Sequence, residues 1–339
     1  MSFREHSSIE VFSTCPESSD YLSEDYVRQV QNVAAWSEEA GCRGMLIYAD
    51  NRLVDPWQVA HIVIKSTRKL VPLVAVQPVY MHPYSVAKMI SSFGYMYRRN
   101  VYLNMVAGGF KNDLKALNDS TPHDLRYERL TEYTQIIRHL LKGDPVTFEG
   151  TFYTIKNLSL QPELPEELFP GICVSGSSEA GLHAADVLGA TAIKYPQPVV
   201  DYKTGEEPGS GRTGIRVGII ARESGEEAWN TGVKRFPPDR AGQFAHQLAM
   251  KISDSQWHKQ LSEMAEELMG RESPYWLHPF KNYKTFCPYL VGSYERIARE
   301  IAGYIQIGFQ TFVLDIPPDK EELEHINIVF DKALETVSL

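Results

Sequence analysis

GMLIYADNRLVDPWQVAHIVIKSTRKLVPLVAV, residues 44–76, contains one complete unit of the fold. GMLIY (Gly44–Tyr48) is a continuous apolar run of the kind a strand buried on both faces requires. Asp55 followed by Pro56 reads as an N-cap with proline in the first helical turn, opening a helix through about Ser66. VPLVAV (Val71–Val76) is a second short apolar run. Strand, capped helix and strand in immediate succession form a βαβ unit.

The same rhythm continues in both directions. Upstream, Ile9–Phe12 reads as a strand, and Tyr26–Ala40 carries Val27, Val30, Val33 and Ala34 at helical spacing before Gly41. Downstream, Pro83 opens a helix to about Tyr97, and VYLNMVA (Val101–Ala107) is a strand interrupted by Asn104. Thr121-Pro122 precedes a helix to about Leu141. Strand Gly171–Ser175 is followed by a helix that Ser178 caps and that runs to about Leu188. Ala190–Tyr195 and Ile215–Ala221 are strands, the latter leading through Gly225 into a helix at Glu226–Val233. Thr311–Ile316 is the last strand, with a helix from about Lys320. Eight strands, each with a helix downstream, predict a (β/α)8 TIM barrel spanning 1–339 as a single domain. A doubly wound sheet is the competing fold, but it places a Gly-rich phosphate turn after its first strand, and here Phe12 is followed by Ser-Thr-Cys-Pro.

Two segments break the alternation. Between about 144 and 170, PVTFEGTFYTI alternates around a Glu149-Gly150 turn and predicts an inserted hairpin and loop. Between about 234 and 292, the separation between the seventh strand and the helix before the eighth predicts a lid-like insertion with helical character over Asp239–Gly270.

Composition narrows the class. Lys plus Arg is 34 against 43 Asp plus Glu, a formal net charge of −9, which argues against nucleic-acid binding as the main task. The apolar runs stop short of the ~18 residues a membrane helix requires. MSFREHSSIEVFS has no basic head followed by an apolar stretch, so no secretory signal is expected. Cys15, Cys42, Cys173 and Cys287 lie far apart without metal-ligand spacing, which predicts free thiols, a cytoplasmic setting and no metal centre.

Barrel active sites lie where the strands end, so the residues that follow each strand are the candidates. Ser-Gly-Ser-Ser (175–178) stands at a helix start, where outward N–H groups and the helix dipole suit a phosphate such as that of FMN. Ser177 and Ser178 could equally cap the helix and do nothing else. His82 and Tyr80 follow the third strand, and Lys194 ends the sixth. A rim histidine can be structural, and a lysine at a strand end either meets an anion or snorkels to solvent.

GMLIYADNRLVDPW (44–57), NMVAGG (104–109), the His-x-x-Arg-Tyr-x-Arg helix entrance (123–129), TFEGTFY (147–153), VSGSSEAGLHAA (174–185), IRVGIIARESGEEAW (215–229) and GFQTFVLD (308–315), in this order, resemble the bacterial luciferase-like flavin-dependent monooxygenases, alkanesulfonate monooxygenase branch. The resemblance implies reduced FMN as co-substrate, with Asn104, Asp113, Arg126, Tyr127, Ser177 and Ser178 on the cofactor. It also implies an NAD(P)H:flavin reductase as supplier, O2 as oxidant, and a homodimer or homotetramer. The sulfonate enzymes carry cysteine, histidine and tyrosine where this chain has Leu53, Gly218 and Pro317. The substrate side is therefore rebuilt, with His82, Tyr80, Lys194 and Arg216 as candidates to act there on a small organic molecule, and C-, N- and S-oxygenation all open. A deazaflavin-dependent oxidoreductase, or a non-catalytic flavin-binding relative, is the alternative.

Overall fold

The computed structural model describes residues 9–202, 211–252 and 273–337. Its strands are β1 (Glu10–Thr14), β2 (Gly44–Ile47), β3 (Val71–Val76), β4 (Tyr102–Val106), β5 (Val146–Glu149), β6 (Thr154–Leu158), β7 (Ile172–Ser175), β8 (Thr191–Lys194), β9 (Thr213–Arg222), β10 (Tyr275–Trp276), β11 (Tyr289–Ser293) and β12 (Phe309–Leu314). The strand order β9-β12-β1-β2-β3-β4-β7-β8, with β8 paired back to β9, closes the predicted (β/α)8 ring. The chain divides into two compact units.

One unit comprises Cys15–Ala34 and Gly44–Ala192. Its strands β2, β3, β4 and β7 are parallel neighbours, with Leu46 opposite Leu73, Ala75 opposite Asn104, and Asn104 opposite Cys173. Every residue of β3 is buried, as a parallel strand covered on both faces demands. The helices are α1 (Ser23–Ala40), of which this unit holds the larger part, α2 (Pro56–Ser66), α3 (Pro83–Tyr97), α4 (Lys111–Ala116), α5 (His123–Leu141) and α6 (Glu179–Leu188). Asp55 caps α2 as its sequence predicts: its carboxylate accepts from the N–H groups of Trp57 and Gln58 at 3.0 and 3.2 Å. At the far end, Arg99 donates to the carbonyls of Ile64, Thr67 and Leu70, satisfying acceptors that a helix terminus leaves open.

The predicted hairpin is antiparallel β5–β6. Glu132 of α5 fixes its turn by accepting from the N–H groups of Thr151, Phe152 and Tyr153. A Cβ at Gly150 would stand 2.5 Å from the Glu132 carboxylate and 2.6 Å from the Phe148 ring, so only glycine fits this corner.

The second unit contains β1, the end of α1, and the chain from Ile193 onward. The long strand β9 serves two neighbours. Its first half pairs with β12, Arg216 opposite Val313, and its second half with β11, Gly218 opposite Tyr289. Helix α7 (Gly225–Arg235) follows, capped by Ser224, whose hydroxyl accepts from Glu227 N at 3.1 Å. Helix α8 (Arg240–Ile252) realises the helical character expected after Asp239, whereas 253–272 lie outside the described residues. The stretch 234–292 is not insertion throughout, because Tyr289–Ser293 is a parallel sheet strand. Two further helices, Tyr294–Ile307 and Lys320–Val337, cover the unit. Glu322, almost wholly buried, is held by both nitrogens of the Arg222 fork at 3.0 and 3.1 Å and by Arg235.

All four cysteines are free and buried. Among the described residues no helix is long and apolar enough to cross a membrane, and no cluster of three or more metal-ligating side chains occurs.

Candidate active site

In the first unit, β4 and β7 lie side by side, and the β7–α6 turn gathers four of the predicted residues. Asn104 sits in the middle of β4, 7% exposed, and its Oδ1 accepts from the Ser175 hydroxyl at 2.7 Å. Ser175 ends β7; Gly176, Ser177 and Ser178 form the turn. Ser178 is buried and its Oγ accepts from Gly181 N at 3.2 Å, so its hydroxyl caps α6. The start of this ten-residue helix offers backbone N–H groups to an anion.

The Tyr127 ring of α5 packs under this turn. A Cβ at Gly176 would lie 2.4 Å from the Tyr127 hydroxyl, and one at Gly181 would lie 3.2 Å from its ring. Burial pushes the Tyr127 phenol up, with a hydrogen bond to Ser178 opposing. His123, at the entrance of α5, stands with its ring 5.3 Å from Tyr127.

Arg126 precedes Tyr127 on α5 and is buried, with Nη1 donating to Thr121 O at 3.0 Å. Sequence reasoning missed the group that builds this corner. Asp119 accepts from the Thr121 hydroxyl and N–H at 2.6 and 3.1 Å and from Arg129 Nη2 at 2.6 Å. Burial would raise the Asp119 carboxyl, but hydrogen bonds from Arg129 and Thr121 hold it down at about 2. The arginine at 129 was legible only as part of the helix-entrance motif; its partner ten residues earlier carried no local signal.

Tyr80 and Asp113 belong to a second group in the same unit. The Tyr80 hydroxyl donates to Asn51 Oδ1 at 2.7 Å, Gln77 Nε2 donates to Ala49 O and to the Tyr80 oxygen at 3.3 Å each, and Asn51 Nδ2 donates to Asp113 O at 3.3 Å. The loops after β2 and β3 are thereby tied to α4. Partial burial and the Asp50 carboxylate raise the Asp113 carboxyl. Burial, with Asp50 and Asp113 nearby, pushes the Tyr80 phenol up to about 12. His82 stands apart, exposed, its Nδ1 accepting from Tyr84 N at 3.2 Å. It caps α3 and meets the Tyr153 ring edge-on at 6.3 Å.

Lys194 and Arg216 lie in the second unit. Lys194 ends β8 half-buried, and desolvation pulls its ammonium pKa down. Arg216 is 8% exposed, with Nη2 3.8 Å from Asp315 Oδ1. The other Asp315 oxygen accepts from the Thr285 hydroxyl at 2.6 Å and from the Tyr289 hydroxyl at 2.8 Å. Tyr289 takes this position because Gly218 opposite it has no side chain: a Cβ there would lie 2.3 Å from the phenol ring. Burial drives the Tyr289 phenol well above its ordinary range, with the Asp315 charge adding to the effect. Asp315 is held by Tyr289 and Thr285 on one oxygen and faces Arg216 with the other, a polar group that the sequence reading did not assemble.

The model of the luciferase-like monooxygenase family matches residues 9–311. A curated relative, the 4-(gamma-L-glutamylamino)butanoyl-[BtrI acyl-carrier protein] monooxygenase BtrO of Niallia circulans, is 34% identical over 312 residues, covering 90% of this chain and 91% of the relative. Among solved structures, EDTA monooxygenase from Chelativorans sp. BNC1 superposes with a TM-score of 0.70 at 15% identity, covering 97% of this chain and 94% of that one. Riboflavin lyase RcaE, solved with modified FMN and riboflavin, superposes at 0.72 and 15% identity, covering 97% and 91%. These structures share the barrel, and the family match extends over nearly the whole described ring. The chain belongs to the luciferase-like monooxygenase family.

Proposed function

We propose that this protein is a two-component monooxygenase that receives reduced FMN from a separate NAD(P)H:flavin reductase and inserts one atom of O2 into an acyl-type substrate carried on an acyl-carrier protein. The observation that supports it most is the grouping, in one compact unit, of a buried amide on β4, a glycine-cleared turn over Tyr127 and the N-terminus of α6. These residues fit FMN. Asn104 offers a donor to the ring edge, Tyr127 supports the turn, and the N–H groups at Ser177 and Ser178 face a phosphate with the positive end of the helix dipole. Arg126 adds a buried guanidinium one residue from Tyr127, and Asp113 and Tyr80 close the rim formed by the loops after β2 and β3.

When bound, reduced flavin activates dioxygen for transfer to the substrate. The chain's own part is to hold the ring, exclude water and orient the acceptor. On the substrate side, Arg216 is oriented by Asp315, and Lys194 is disposed by desolvation to meet an anion. Replacement of the sulfonate-enzyme residues by Leu53, Gly218 and Pro317, and the Tyr289 ring filling the space over Gly218, argue against a sulfonate substrate. The carrier-tethered acyl group is the reading that the relationship to BtrO favours. His82 is read as the capping residue of α3 rather than as a reacting group. The buried free cysteines accord with a reducing, cytoplasmic compartment, and a homodimer or homotetramer is the expected assembly.

The test is incubation of the protein with FMN, NADH, a flavin reductase and a set of acyl chains loaded on an acyl-carrier protein, read by intact mass. Gain of one oxygen atom that depends on the reductase supports the reading. Turnover without oxygen, or only with a deazaflavin, refutes it in favour of a hydride-transferring relative, and hydrogen peroxide as the sole product with every acyl chain refutes it in favour of a non-catalytic one.

A further inference from the structure

An asparagine side chain is nearly symmetric in shape, yet one end donates hydrogen bonds and the other accepts them. In a buried site something must decide which end faces the ligand. Asn104 is fixed in β4 between Ala75 and Cys173, and its Oδ1 lies 2.7 Å from the Ser175 hydroxyl of the neighbouring strand. That separation matches an O–H···O bond better than an N–H···O bond, whose usual length is about 2.9–3.0 Å. The hydroxyl therefore donates and the amide oxygen accepts. Among the described residues the amide nitrogen makes no hydrogen bond.

We infer that Ser175 is a positioning residue for the cofactor: it holds Asn104 with its amide nitrogen toward the ligand, so that this side chain presents donors only and selects an acceptor on the flavin edge. The inference rests on the flavin reading above. An outward NH2 group pairs with a ring carbonyl, which is an acceptor in both oxidised and reduced flavin, and it offers nothing to a ring N–H. Without the Ser175 hydroxyl the amide rotates freely, and part of its ordering must be supplied on binding. Ser175 also ends β7 immediately before the phosphate turn, so a disturbance of that turn must be told apart from loss of the amide's orientation.

The experiment is an anaerobic titration of wild type and variants with FMN, oxidised and photoreduced, and with lumiflavin, which lacks the ribityl phosphate. Ser175→Ala should raise the Kd about fivefold for all three, the loss expected for one net hydrogen bond, and Ser175→Thr should restore affinity. Asn104→Asp keeps the acceptor for Ser175 and loses only the outward N–H donors, so it should weaken binding about tenfold or more. On an Asn104→Ala background, Ser175→Ala should cost nothing further, because the amide it positions is gone. Additive losses in that cycle, a Ser175→Ala effect on FMN with none on lumiflavin, or wild-type affinity in Asn104→Asp would each overturn the inference while leaving the flavin reading intact. Failure of the wild-type protein to bind any flavin overturns both.

Discussion

A Cβ at Gly218 would stand 2.3 Å from the Tyr289 ring, so the histidine of the sulfonate enzymes has no room at this position unless the phenol that holds Asp315 is displaced. Gly218→His should lower stability by about 1–3 kcal/mol, as over-packing of a filled core does. Its thermal midpoint, measured beside that of a Gly218→His/Tyr289→Ala double variant that vacates the space, checks the point; equal losses in the two would contradict it. At the cofactor side, Asn104→Ala or Arg126→Ala should weaken FMN binding by about 1–3 kcal/mol, the effect of leaving a polar ligand group unsatisfied. Wild-type affinity in both, by fluorescence titration, would remove these residues from the flavin.

Elements were legible where the deciding interaction is local. Asp55, Pro83 and Ser178 mark helix starts because each cap or first-turn proline lies within a few residues of the backbone it serves. The hairpin was legible from its alternation and from Gly150. The strand β11 was not, although YLVG is an apolar run, because it lies within a long separation that read as one insertion. What joins it to β9 is pairing across about seventy residues, which no local pattern records. The site divides the same way. The positions at strand ends and the helix start were visible, whereas the partners of Glu322 come from distant turns of the chain, and Asp119 meets Arg129 across a loop that carries no periodic pattern. Removal of Glu322 by Glu322→Ala leaves Arg222 and Arg235 facing each other inside the fold. Chemical denaturation should show a loss of about 3–5 kcal/mol, as breaking a buried ion network does; a loss under about 1 kcal/mol would place the network at the surface in energetic terms. Asp119 makes a pH-dependent contribution. Its folded carboxyl lies at about 2, below the ordinary value of about 3.9, so the stability it adds is full above that value and lost as pH falls toward 2. Urea midpoints of Asp119→Asn should be lower than wild type at neutral pH and should converge with it near the acid end; a constant offset would show that the charge plays no part.

On the scale of the whole molecule, the ring of parallel strands is the part that the apolar runs and their spacing specify most fully. The chemistry depends on what its rim residues hold. On the proposed reading, the donor amide, the supported turn and the helix start of the first unit would hold the ring and the phosphate of one cofactor. The second unit holds Arg216 near Asp315 and the half-buried Lys194. The most direct measurement of the central claim compares FMN with riboflavin in calorimetric titrations of the reduced, anaerobic cofactors. A saturable site of one per chain that prefers FMN, with inorganic phosphate competing for the difference, is the predicted result. Equal affinity for the two, or no saturable binding of either, would contradict it.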